Sequence, residues 1–173
     1  MINDELASPD PEYWKINRWK GSIFNWENYH RYPANEVYLN LTDPVTGAPL
    51  LNADGIPRRA ILDSCTPGQE IVSRKRTQLG LVNESTAREY INQAVRLYGP
   101  NNPGIAIADV PTTRAQLGGI PNAIGKPLKG HLILEVPVQH QPVPESILRY
   151  ADERDALIRD IDGKVYELPD GLP

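Results

Sequence analysis

The chain has 173 residues and a net charge of −4, with 17 Pro, 13 Gly and a single Cys. That length sustains one hydrophobic core without staples, the lone Cys excludes an internal disulfide and a Cys-based zinc site, and no apolar run reaches the ~18 residues of a membrane-spanning helix. The charge is uneven: residues 1–12 hold Asp4, Glu5, Asp10 and Glu12 and no base, residues 145–173 hold eight acids and four bases, and the middle is basic. An acidic beginning has the wrong sign for a signal peptide. A basic middle permits an anionic partner without requiring one.

In chain order, residues 1–12 read as a poorly ordered lead-in or linker and 13–173 as one domain. All three Trp and the only Phe fall between Tyr13 and Tyr32. Rings at this density are expected in the core or scaffold rather than on a base-stacking platform, with a short helix over 26–31 before Pro33. Residues 36–41 alternate Val37, Leu39 and Leu41 against polar neighbours, the period of a strand. Turn residues at 43–44 and 52–55 separate it from a strand over 58–63, and Thr66-Pro67-Gly68 turns the chain into another over 70–76. Residues 84–98 form the clearest helix, capped by Asn83, with Ala87, Ile91, Ala94, Val95 and Tyr98 on one face and Gly99-Pro100 as its stop. Strands are expected over 105–110 and 131–138, joined by a long Gly/Pro loop over 111–130, a length that is usually functional or mobile. A helix over 144–156 and a hairpin about Asp162-Gly163, between strands 157–161 and 164–168, complete the chain. This order predicts an α+β fold: a mixed, mainly antiparallel sheet flanked by two or three helices.

The densest polar cluster is the hairpin from Asp63 to Gln78. Asp63 and Glu70 stand on either side of its turn, and close carboxylates call for a cation; Mg²⁺ takes one or two carboxylates plus water and phosphate oxygens. Arg74 or Lys75 would then stabilise charge developing on a phosphoryl group. The plainer alternative is surface ion pairing of Asp63 and Glu70 with Arg58, Arg59 and Arg74. Glu36 opens the first strand on its polar face, either beside Asp63 or simply exposed. Glu135 lies within an apolar run, where an unpaired acid is costly, so it is either a core ion-pair partner or a site residue. Gln139 either reads a base edge or closes a turn. His30, His131 and His140 lack metal-site spacing, Cys65 next to an acid is a poor nucleophile, and neither a P-loop nor a serine elbow is present.

The runs Tyr32-Pro-Ala-Asn35-Glu36-Val37-Tyr38, Leu62-Asp63-Ser64 and Pro67-Gly68-Gln-Glu70-Ile71-Val72-Ser73-Arg74-Lys75-Arg-Thr77-Gln78-Leu79, with Leu134-Glu135-Val136-Pro137-Val138-Gln139, resemble C-terminal toxin domains of bacterial polymorphic toxins. These are the tips of Rhs-type, contact-dependent-inhibition and type VI secretion effectors. The helix and three acid-bearing strands also resemble the PD-(D/E)XK restriction-endonuclease fold. On that resemblance Asp63 is the first acid, Glu70 the second and Glu36 the upstream one. Val72 stands where the family carries Lys, so Arg74 or Lys75 takes its place; regular alternation puts Arg74 on the Glu70 face, and Lys75 reaches the site only through a bulge.

The resemblance implies a nuclease toxin, DNA favoured, with Mg²⁺ or another divalent cation on Asp63 and Glu70. Ser73, Gln78, Arg58, Arg59, Glu135 and Gln139 would contact substrate. It further implies delivery as part of a larger secreted effector, action in the target-cell cytoplasm and neutralisation by a cognate immunity protein. Two other readings stay open: a metal-independent toxin acting on RNA or a nicotinamide dinucleotide, and a noncatalytic binding module.

Overall fold

The computed structural model describes residues 11–169. The lead-in expected over 1–12 lies outside them, except for Pro11 and Glu12, which begin a helix. That helix, α1 (Pro11–Asn28), runs into a 3₁₀ turn at Tyr29–Arg31. There follow β1 (Ala34–Leu41), β2 (Arg59–Thr66), β3 (Glu70–Arg74), α2 (Glu84–Tyr98), β4 (Ile105–Ile107), α3 (Pro111–Gln116), β5 (His131–Val136), α4 (Glu145–Asp152), β6 (Ala156–Asp160) and β7 (Val165–Tyr166). The fold is α+β, with one seven-stranded mixed sheet in the order β4-β1-β2-β3-β5-β6-β7.

The sheet joins an antiparallel meander to a parallel pair. β1, β2 and β3 form an antiparallel meander, α2 lies on the crossover that brings β5 parallel to β3, and α4 on the one that brings β6 parallel to β5. A parallel neighbour requires such a crossover. The start of β5 lies close enough for the His131 N–H to bond the Gln69 carbonyl. Gly130 makes that approach possible: its φ is +129°, and a Cβ there would stand 2.5 Å from the Gln69 carbonyl carbon.

One face of the sheet builds the main core. Leu62, Cys65, Ile71, Leu132, Leu134 and Ile158 pack there under the inner faces of α2 and α4. Of the five α2 residues expected inward, Ala87, Ile91, Ala94 and Tyr98 are buried. Asn83 occupies the cap position but makes no side-chain capping bond. The last turns of α1 cover the opposite face, burying Phe24 and Asn28. Most of α1 is longer and more exposed than expected: Trp19 and Trp26 are 67% and 74% exposed, so those rings are not core. The segment 111–130 is also not a plain loop. Its helix α3 lies along β1, where Thr113 Oγ1 accepts the Tyr38 N–H and Gln116 Oε1 accepts the Asn35 N–H. Side chains thereby satisfy strand donors that the short β4, which pairs only with 39–41, does not reach. No helix among the described residues is long and apolar enough to cross a membrane.

Candidate active site

The β1–β2 ladder is broken at one position. Asn35 pairs with Ser64 and Val37 with Leu62, but Glu36 and Asp63 between them are unpaired. Glu36 has φ +50°, in the left-handed region that side chains rarely adopt. Regular alternation puts residues three apart on opposite faces, yet Ala34 and Val37 are both core, and so are Leu62 and Cys65. Both strands therefore change face at this break, which frees the Glu36 and Asp63 side chains from the sheet. Backbone strain of this sort costs about 1–3 kcal/mol and clusters at functional sites.

Asp63 is held from two sides. Its Oδ2 accepts the Arg74 backbone N–H at 2.7 Å, and its Oδ1 accepts the Asn25 amide of α1 at 2.8 Å. Burial raises its pKa above the usual carboxylate value, while the Arg74 N–H and the positive charge of Lys75 pull it back. Lys75, just past β3, donates to Gln93 Oε1 of α2 at 2.7 Å and stands 5.8 Å from the Tyr90 ring centre. Burial lowers its pKa, and the Asp63 charge opposes that shift. An acid moved up and an amine moved down are both brought closer to neutrality, the condition for proton transfer at moderate pH.

Glu36 accepts the Tyr29 hydroxyl on its Oε1 at 2.9 Å. The Tyr29 pKa lies well above its ordinary value, chiefly from burial, then from the Glu36 hydrogen bond, with the charges of Glu36 and Asp63 adding to it. Glu36 and Asp63 are thus two carboxylates at facing positions of the break. Each carboxylate offers about four lone-pair sites, and the hydrogen bonds present use two on Asp63 and one on Glu36. Mg²⁺ needs no more than one or two such ligands beside water and phosphate. Among the described residues no cluster of three or more His, Cys, Asp or Glu side chains converges on one point. A cation held by these two carboxylates would need water and phosphate oxygens to complete its shell.

The hairpin does not bring Asp63 and Glu70 to one point. Glu70 pairs with Thr66, three residues from Asp63, or roughly 10 Å at ~3.3 Å per residue. Its carboxylate instead binds the Arg159 guanidinium of β6, at 2.7 and 3.2 Å. Arg74 does share the Glu70 face, as alternation requires, but it is buried. Its Nε bonds Glu135 Oε1 at 2.6 Å, its Nη1 bonds Ser64 Oγ and its Nη2 the Asn28 carbonyl, and its guanidinium lies over the Tyr32 ring. Glu135 is accordingly a core ion-pair partner. Tyr32 completes the network: its hydroxyl donates to Glu135 Oε2 and accepts from Arg159, and burial with the Glu135 bond pushes its pKa up to about 12.

The other candidates serve the frame. Ser73 is buried opposite Leu134. Gln78 bonds the Val138 carbonyl and the His140 N–H, and Gln139 bonds the Leu79 N–H and the Thr77 carbonyl, so both fasten the 77–79 segment to the one after β5. Arg58 and Arg59 are exposed at the far end of β2, where Arg59 reaches Asn40. Burial raises the Cys65 thiol to about 11, leaving it inert at neutral pH. Asn25, Tyr29, Tyr90 and Gln93 were not legible as site residues, because three helices and turns distant in sequence deliver them.

A groove of about 550 Å³ opens over Lys75 between α1 and α2, lined by Asn17, Gly21, Asn25, Arg76 and Tyr90 among others. An apolar hollow of about 240 Å³ lies elsewhere, under the segment after α3, with no carboxylate in its lining. Comparison with known proteins finds no matching family model, no matching curated protein and no matching solved structure.

Proposed function

We propose that this chain hydrolyses phosphodiester bonds in nucleic acid at the groove between α1 and α2, with a divalent cation held by Asp63 and Glu36. The observation that carries the reading is the closeness of Asp63 to Lys75, with the strained Glu36 at the facing position of the break in the sheet, beside a cationic groove. The order of helix, three antiparallel strands and helix, followed after β4 and α3 by a strand parallel to β3, is compatible with the likeness to restriction-endonuclease folds stated above. In this reading Glu36, not Glu70, is the second acid, and Lys75, not Arg74, is the base-bearing position.

When bound, the cation supplies a water of lowered pKa and neutralises phosphate charge. Asn25 and the Arg74 N–H fix the Asp63 carboxylate in one orientation. Gln93 fixes the Lys75 ammonium, which stabilises charge on the phosphoryl oxygens and passes a proton to the leaving oxygen. As the tip of a larger bacterial effector, the domain would act in the target-cell cytoplasm, with an immunity protein covering the groove in the producer. The test is incubation of the purified chain with DNA, RNA and a nicotinamide dinucleotide, with Mg²⁺ and with chelator. Cleavage of nucleic acid that requires Mg²⁺ and is lost in Asp63→Asn supports the proposal. Absence of cleavage in every arm, or equal cleavage by Asp63→Asn, overturns it; cleavage indifferent to chelator removes the cation.

A further inference from the structure

The groove has a shape and a chemistry that go further than hydrolysis. Asn17, Gly21 and Asn25 are spaced by four and present one face of α1 to it. Gly21 has nothing within 4 Å of the place a Cβ would occupy, so the helix face is open at its middle. Across the groove stands the half-buried ring of Tyr90, and Arg76 is exposed at the rim. Among the described residues neither the Arg76 guanidinium nor the Asn17 amide has a partner. None of the lining residues is acidic. A cation, two amides and an aromatic face together match one nucleotide: phosphate on the guanidinium, base on the ring, base edge to an amide.

We propose that the groove takes a single unstacked nucleotide, with Tyr90 against the base and Arg76 on its phosphate, so that the substrate is a single-stranded nucleic acid. The inference rests on the reading of Asp63 and Lys75 as the reacting pair. A duplex keeps its bases stacked inside and offers Tyr90 nothing to stack on, whereas an unpaired strand can turn one base outward at little cost. Lys75 lines the same groove and lies 5.8 Å from the Tyr90 ring. The phosphate joined to a base stacked there is therefore brought to the Asp63–Lys75 pair.

The test is equilibrium binding of fluorescein-labelled 12-mers in chelator, which prevents turnover: single-stranded DNA, single-stranded RNA and the duplex of the same sequence at one salt concentration. Either single strand is expected to bind at least about tenfold tighter than the duplex, and the two single-strand arms separate DNA from RNA. Tyr90→Ala should weaken single-strand binding about 5- to 150-fold, the range of one base–aromatic stack, while Tyr90→Phe keeps it. Because Tyr90 also touches the core, Arg76→Gln gives an independent reading: weaker binding of every single strand and a salt slope lower by about one. Duplex binding as tight as single-strand binding overturns the inference. So does a folded Tyr90→Ala, or an Arg76→Gln, that binds like the parent. Single-strand binding in chelator with no cleavage once Mg²⁺ is supplied would instead sink the hydrolytic reading and leave the groove standing, and Mg²⁺-dependent cleavage restricted to duplex would do the reverse.

Discussion

Arg74 and Glu135 form a closed ion pair inside the sheet: Nε and Oε1 are 2.6 Å apart, and the two side chains are 0% and 1% exposed. They sit directly across from one another on parallel strands β3 and β5. Arg74 also donates to Ser64 Oγ and the Asn28 carbonyl, Glu135 also accepts the Tyr32 hydroxyl, and the Arg159 guanidinium stands 3.7 Å from Glu135. The network ties the end of α1 to β3, and the same Arg74 that carries it holds Asp63 of β2 through its backbone N–H, so the frame and the candidate site share one residue.

Removing one partner leaves the other charge buried and unpaired. Glu135→Ala is expected to destabilise the fold by about 3–5 kcal/mol, read as a fall in urea midpoint. The double change Arg74→Met with Glu135→Leu should recover a large part of that loss, since an apolar pair leaves no orphaned charge. A single-mutant loss below about 1 kcal/mol would contradict the account of the pair.

Asp63 and Glu70 should separate cleanly. Asp63→Asn is expected to abolish cleavage while keeping the fold, because the amide retains the size but not the charge. Glu70→Gln should leave cleavage within about threefold and cost about 1 kcal/mol, the scale of a partly exposed pair with Arg159. Equal loss of activity in both variants, measured on folded protein, would restore Glu70 to the site.

The pH profile follows from the directions of two shifts. On the proposed mechanism cleavage needs ionised Asp63 and charged Lys75; burial moves the first pKa up and the second down, so the active range is expected to be narrowed from both sides. Asn25→Ala removes a hydrogen bond that favours the Asp63 carboxylate, and its acid limb should move to higher pH. Folded Asp63 holds its proton more tightly than the unfolded chain, so stability falls as pH rises from about 3.8 through the raised folded value. Urea midpoints of Asp63→Asn against pH should lack that decline. An acid limb unmoved in Asn25→Ala counts against the assignment.

Gly130→Ala tests the crossover. The added Cβ would meet the Gln69 backbone at 2.5 Å, at a φ of +129° that side chains avoid. A loss of at least about 2 kcal/mol is expected from strain alone, seen as a lower thermal midpoint. A midpoint within a degree of the parent would mean that β5 does not approach β3 as described.

Local pattern was enough for the elements whose evidence is short-range. The apolar face of 84–98, the alternation after Glu36, the turn at Thr66-Pro67-Gly68 and the hairpin at Asp162-Gly163 each carry a period or a turn chemistry of their own, and the α+β class follows from their order. Pattern misled where burial depends on what packs alongside: the Trp19 and Trp26 rings are on the outer face of α1, and the 111–130 segment holds a helix because β1 offers it unpaired N–H groups. The site belongs to this second kind. Sequence pointed to Glu36, Asp63 and a nearby base, and set Asp63 beside Glu70 because they flank one turn, whereas the register puts Glu70 opposite Thr66 and leaves Glu36 facing Asp63. The break that turns Glu36 and Asp63 out of the ladder, and the helices that bring Asn25, Tyr90 and Gln93 to them, exist only once strands far apart in the chain are in register, because a side chain's direction in a sheet is set by its neighbours across the ladder.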